Sequence, residues 1–134
     1  MVKGNTVVNI ISEINEYLKK QADLFSPISH DMFLTDGDEL MCRNDPAGFK
    51  ETSYFDGSSI GKARFSYYAK SRDAKKAQDE LNKIMQLLNL PETEISGGLF
   101  IKCEPQTQIA FVTKYQSGEF VYICTISLEF ERRK

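Results

Sequence analysis

Apolar residues recur at helical spacing from residue 6 to residue 23. Val7, Ile11, Ile14 and Leu18 form the stripe, Val8 and Ile10 widen it, and Glu13, Glu16, Lys19 and Lys20 fall largely outside it. The pattern predicts an amphipathic helix capped by Thr6 or Asn5. Pro27 stops it near Phe25 or Ser26, because proline lacks an amide hydrogen and disfavours helical backbone in the residue before it. Residues 63–70 change period: Ala63, Phe65, Tyr67 and Ala69 alternate with Arg64, Ser66, Tyr68 and Lys70, which predicts a half-buried strand. A second helix follows, with Ser71 as its expected N-cap and Asp73 placing negative charge near its N-terminus. Ala74, Ala77, Leu81, Ile84, Met85 and Leu88 give its apolar face; it runs to about Asn89 and ends before Pro91.

Three strands are predicted after that helix. Leu99, Ile101 and Cys103 alternate with Phe100, Lys102 and Glu104, and Pro105 ends the run. Ile109, Phe111, Thr113 and Tyr115 alternate with Ala110, Val112 and Lys114, and Gln116-Ser117-Gly118 supplies a hairpin turn. In the closing strand Phe120, Tyr122, Cys124, Ile126, Leu128 and Phe130 share a face. The other face begins apolar at Val121 and Ile123 and turns polar from Thr125 onward. Residues 28–62 show no sustained period. They carry the turn signals Asp36-Gly37, Asn44-Asp45-Pro46, Gly48, Asp56-Gly57 and Gly61, with short strands around 39–43 and 51–55. A stretch this long without regular structure is uncommon unless it has a task. It also holds Phe49, Tyr54 and Phe55, which a plain linker does not need. The expectation is one α+β domain over 1–134: an antiparallel or mixed sheet of about four to five strands packed against two helices, with a long irregular arm that forms the interaction surface.

Composition narrows the functional classes. With 41% hydrophobic and 27% charged residues the chain is globular rather than disordered. A net charge of −2 argues against nucleic acid as the main partner, since a dedicated binder shows a basic excess. The one dense basic cluster is Arg132-Arg133-Lys134, either a solvated end or a dock for an acidic partner surface. Three cysteines, Cys42, Cys103 and Cys124, without Cys-x-x-Cys spacing, read as small buried hydrophobes rather than a disulfide framework or zinc site. The start of the sequence shows no signal-peptide pattern, and no apolar run is long enough to span a bilayer.

The chain offers little for catalysis. His30 is the sole histidine, which leaves a triad or a histidine-rich metal site short of parts. Gly97-Gly98 lacks the companions of a phosphate loop and precedes a strand, so it reads as a turn. Asp36-Gly37-Asp38-Glu39 lacks EF-hand spacing and reads as a solvated acidic turn. No catalytic residue, metal or cofactor is expected. Tyr68, beside Arg64 and Lys70, is the one strand aromatic that core packing leaves unexplained. It supports a rival reading as an RNA-binding sheet, although the signature of that class is missing.

Several segments together resemble a known group. They are Ile14-Asn15-Glu16-Tyr17-Leu18, Tyr54-Phe55-Asp56-Gly57-Ser58 leading into Phe65, Ser71-Arg72-Asp73, Leu87-Leu88-Asn89-Leu90-Pro91, and Phe120 through Leu128. In this order and spacing, across most of the chain, they resemble the minor capsid proteins of tailed phages and prophages of Gram-positive bacteria. That group is similar in role to tail terminator (tail completion) proteins. The resemblance implies a virion structural protein, not an enzyme, made in the host cytoplasm and located at the tail–head junction. It implies a sixfold ring on the end of the tail tube, which stops tube growth and offers a surface to the head connector. The implied partners are the ring neighbour, the tail tube protein, the connector or neck protein, and a sheath or sheath-terminating protein. A head completion or tube protein of the same virion is the nearest alternative; a small hydrolase or transferase is a more remote one. The candidate interface residues are Phe49, Tyr54, Phe55 and Arg64, types enriched at binding hot spots. To these are added Asp56 and Gly57 as the turn that aims Tyr54 and Phe55, together with Tyr68, Arg132 and Arg133.

Overall fold

A computed structural model of the chain describes residues 6–133. Among them, two helices and seven strands follow in the order α1 (Thr6–Gln21), β1 (Ile28–His30), β2 (Glu39–Ser53), β3 (Ser59–Ser71), α2 (Ala74–Leu87), β4 (Leu90–Ser96), β5 (Leu99–Pro105), β6 (Ala110–Lys114) and β7 (Phe120–Arg132). The fold is α+β, as the periodicity predicts. The expected contacts of Val7 and Val8, a cap from Asn5 or Thr6, and any role of Lys134 lie outside the described residues and side chains.

All seven strands join one mixed sheet in the order β1-β2-β3-β7-β5-β4, with β6 also on β7. Only β1 against β2 is parallel. β7 is the spine. Its whole length pairs with β3, from Ser59 opposite Arg132 to Ser71 opposite Phe120. Its other edge is shared: β5 takes the half from Ile126 to Arg132, and β6 takes Phe120–Ile123.

Both helices cover one face of this sheet. Ile10, Ile11, Ile14 and Leu18 of α1 and Ala77, Leu81 and Ile84 of α2 meet Leu40, Cys42, Phe65, Tyr67, Cys124, Ile126 and Leu128. Period-3.6 apolar stripes thus bury against period-2 apolar faces, the arrangement that removes most apolar area from water. The opposite face is largely polar, carrying Arg64, Ser66, Lys62, Thr125, Ser127 and Glu129, with Ser66 and Thr125 hydroxyls 3.0 Å apart across β3 and β7.

Three expectations change. The sheet has seven strands rather than four to five. Residues 28–62 are not an irregular arm but hold β1, β2 and the start of β3. β2 escapes a periodic reading because its register shifts between Asp45 and Lys50, around Pro46 and Gly48. A bulge breaks the alternation, and an outer strand tolerates proline. β4, Leu-Pro-Glu-Thr-Glu-Ile-Ser, is an edge strand whose largely polar sequence shows no period. Finally, the N-cap of α2 is Asp73 and not Ser71. The Asp73 carboxylate accepts from the amides of Lys75 and Lys76 at 3.1 and 3.3 Å, while Ser71 Oγ accepts from the Asp73 amide.

Candidate interaction surface

The β2–β3 turn is built by local bonds. Asp56 Oδ1 accepts from the amide and hydroxyl of Ser58 at 2.9 and 2.6 Å, an Asx turn. The Tyr54 amide donates to the Ser58 carbonyl at 2.9 Å and the Gly57 amide to the Tyr54 carbonyl at 3.1 Å. Gly57 takes φ +91°, a region open mainly to glycine. The result is a fixed tip on which Phe55 is fully exposed and Tyr54 is half exposed. Four of the candidate interface residues, Tyr54, Phe55, Asp56 and Gly57, therefore act as one unit.

The other five lie apart from the tip in different ways. Phe49 is half-buried against the core, its ring stacked on Phe130 at 6.4 Å between centroids and 9° between planes. Arg64 lies on the open sheet face and pairs with Asp45 at 2.9 Å; its Nε is buried without a hydrogen-bond partner beneath Gly48. Arg132 donates to Glu13 of α1 at 2.9 Å. Arg133 pairs with Glu131 and Glu92 and stacks on the Phe100 ring at 3.8 Å. These arginines tie the end of β7 to its neighbours. Tyr68 is half-buried on the open face, between Met41 and Ile123 in register. It sits about nine residues along β3 from the tip, roughly 30 Å at the usual strand rise.

The far end of the sheet holds a site that the sequence pattern did not indicate. Lys70, Glu39 and Glu119 are buried together, with side-chain exposures of 5, 4 and 4%. Lys70 Nζ lies 3.7 Å from Glu39 Oε1 and 3.6 Å from Glu119 Oε2, donates to the Thr35 carbonyl, and sits over the Phe33 ring at 4.8 Å. Glu39 also accepts from the amides of Leu34 and Thr35 and from the Ser29 and Thr35 hydroxyls. Burial pushes its carboxyl up, but these donors outweigh it and hold the pKa below the ordinary value of 4.5. Glu119 accepts from the Ser117 hydroxyl and the Gly37 amide, which hold its pKa down as well. The network clamps the 31–38 loop over the end of the sheet, and that loop presents Met32 and Leu34 to solvent, both more than half exposed. Nearby Tyr115 is also exposed. Alternating Lys70 reads from sequence as an outward strand position, so only the unusual pair of matching acids at Glu39 and Glu119 could have hinted at the clamp.

The open edge of β6, a strand the periodicity predicts, is the second unanticipated feature. β6 pairs with β7 alone, so its other edge carries no strand among the described residues. Phe111 and Val112 on it are 57% and 45% exposed. Phe111 packs edge-on against Tyr122, centroids 5.7 Å apart. An unpaired apolar edge is what monomeric proteins usually avoid.

The cysteines and one core tyrosine are held in their neutral forms. Cys42, Cys103 and Cys124 are free and buried, and burial pushes each thiol up to about 12, far from the thiolate a nucleophile needs. Tyr67, whose hydroxyl donates to Asn15 Oδ1 at 2.6 Å, is held neutral by the same desolvation. No cluster of three or more His, Cys, Asp or Glu suited to a metal ion occurs among the described residues. No described helix is long and apolar enough to cross a membrane. No family model matches the chain, and no curated protein matches it.

Proposed function

We propose that this chain is a virion structural protein, a tail terminator whose copies form a ring on the end of the tail tube, halt its growth and join it to the head connector. The observation that carries an assembly role is the placement of exposed apolar side chains. They gather at the two ends of the strands, with Tyr54 and Phe55 at one and Met32, Leu34 and Tyr115 at the other, and along the β6 edge. Both end groups sit on fixed backbone, the tip through its Asx turn and the loop through the Lys70 clamp. Rigid apolar contacts bind tightly because little entropy is lost on docking. The narrower assignment to a terminator rests on the resemblance of the sequence segments to the phage family.

The RNA-binding alternative gains no support from the open sheet face. Arg64 there is neutralised by Asp45, Lys62 lies 3.7 Å from Glu129, and Tyr68 is half-buried. Electron microscopy of purified tail tubes incubated with the protein tests the proposal. A ring at one tube end, with elongation blocked on adding tube subunits, is expected; bare ends that keep growing refute it.

A further inference from the structure

One row of residues crosses five of the seven strands, from β1 to β6. Ile28 on β1 is opposite Leu40 on β2, Leu40 opposite Ala69 on β3, Ala69 opposite Tyr122 on β7, and Tyr122 opposite Phe111 on β6. Leu40 and Ala69 lie in the core, and Ile28 and Tyr122 pack against it, so the whole row faces the helices. Ile28 and Phe111 are thus at the same height, on the same face, at opposite edges. Strand direction matches too. β1 runs parallel to β2, and three antiparallel steps from β2 to β6 leave β6 running opposite to β1. If a second copy stands beside the first in the same orientation, its β1 meets β6 antiparallel, the more stable pairing.

Beside β1 lies a receptacle. A groove of about 720 Å³ separates α1 from the segment leading into β1; Leu24, Phe25, Pro27 and Ile28 give it an apolar side, and Glu16 and Lys19 of α1 a charged one. Its lining includes Ile28 and His30 of the edge strand β1 itself. Pro27 has no amide hydrogen, so backbone pairing is confined to the three residues of β1, and an aromatic anchor must supply most of the attraction.

We infer that copies of this chain assemble head to tail, with β6 of one pairing antiparallel to β1 of the next and Phe111 seated in the groove between α1 and the strand. The contact is heterologous, so it closes into a ring when the rotation per copy permits. A ring axis running along the strands places the Tyr54–Phe55 tip on one face of the ring and Met32, Leu34 and Tyr115 on the other. The inference rests on the assembly reading above and names its lateral contact.

The register gives a direct test. Ser29 and Ala110 share the neighbouring row through Met41, Tyr68 and Ile123. In the assembly they face each other between copies at about 4.5–5.5 Å between Cα atoms, inside the range of roughly 4.4–6.8 Å that a disulfide spans. The native cysteines are buried and do not interfere. Oxidation of a Ser29→Cys/Ala110→Cys double variant is expected to give a ladder of linked multimers on a non-reducing gel. A mixture of the two single variants is expected to stop at dimers. Phe111→Glu, at a site exposed enough to keep the fold, is expected to weaken self-association at least about tenfold by sedimentation, the loss of one hot-spot anchor. Absence of the ladder both in free solution and on tail tubes overturns the inference. So does cross-linking of Ala110→Cys alone, which would mean two-fold β6–β6 pairing. Rings on tubes without the ladder overturn this contact and keep the terminator reading. A ladder from a protein that never caps tubes establishes the contact and removes that reading.

Discussion

Replacing Lys70 with Met is the most informative perturbation of the fold. The side chain keeps its volume and loses its charge, so Glu39 and Glu119 remain buried without their shared cation. Removing one partner of a buried ion pair commonly costs about 3–5 kcal/mol, because the remaining charge stays desolvated. The lower end applies here. Glu39 keeps four donors from Ser29, Leu34 and Thr35, and Glu119 keeps those of Gly37 and Ser117. A loss near 3 kcal/mol is a large part of the roughly 5–15 kcal/mol that holds a domain together. It corresponds to a fall in Tm of about 10 °C for a chain of this size. Urea unfolding followed by circular dichroism measures it, and pH sharpens the test. In the native protein the Glu39 and Glu119 pKa values are depressed, so their contribution is present above the unfolded value of 4.5 and is lost as pH falls through the folded values. In the variant the carboxylates take up protons more readily and the penalty shrinks on acidification. The gap between the two proteins should therefore narrow as the pH falls below 4.5 toward the folded values. A loss below about 1 kcal/mol, or a gap that does not change with pH, refutes the buried network as described.

Other outcomes follow from particular contacts. Gly61→Ala places a Cβ against the Lys50 carbonyl and 2.5 Å from Phe130 Cζ; chemical denaturation should show a loss of about 1–3 kcal/mol, the usual scale of overpacking. Asp73→Ala removes the acceptor for two amides at the start of α2 and should lower stability by about 1 kcal/mol in the same assay. Tyr54→Ser with Phe55→Ser should leave Tm within about 2 °C, since exposed sites matter little to stability, yet abolish capping of tail tubes in electron micrographs. Phe49→Ala should instead lower Tm through the lost Phe130 stack, separating a packing role from a docking one.

Sequence pattern carried the elements whose two faces differ in polarity. α1, α2, β3, β5 and β7 were legible because one face of each is apolar and the other meets solvent. β1 is three residues long, too short for a period, and β4 is an edge strand whose polar residues carry no alternation. β2 was split by its bulge. The tip residues Tyr54 to Gly57 were legible because their chemistry is local: Asp-Gly after two aromatics specifies both the turn and what it displays. The Lys70 clamp was not, since its members come from β2, β3 and the turn before β7, and no local rule pairs Glu39 with Glu119. Nor was the exposure of β6, whose alternation of Phe111 with Val112 looks the same in a buried strand. Only the sheet order shows that no second strand pairs with it among the described residues.

The spine position of β7 has a consequence for biosynthesis. It follows every other strand in the chain, yet β3, β5 and β6 hydrogen-bond to it. While the ribosome is still adding residues 120–132, at about 5–20 residues per second, Ser59 and Leu99 have no strand partner on that side, since both pair with Arg132. The β2–β3 and β4–β5 hairpins can form early, but they remain separate pieces with bare apolar faces until the spine emerges to join them. Folding is therefore gated by the end of this segment, and nascent chains on one crowded messenger are held back from associating through a β6 edge that has yet to be built on β7.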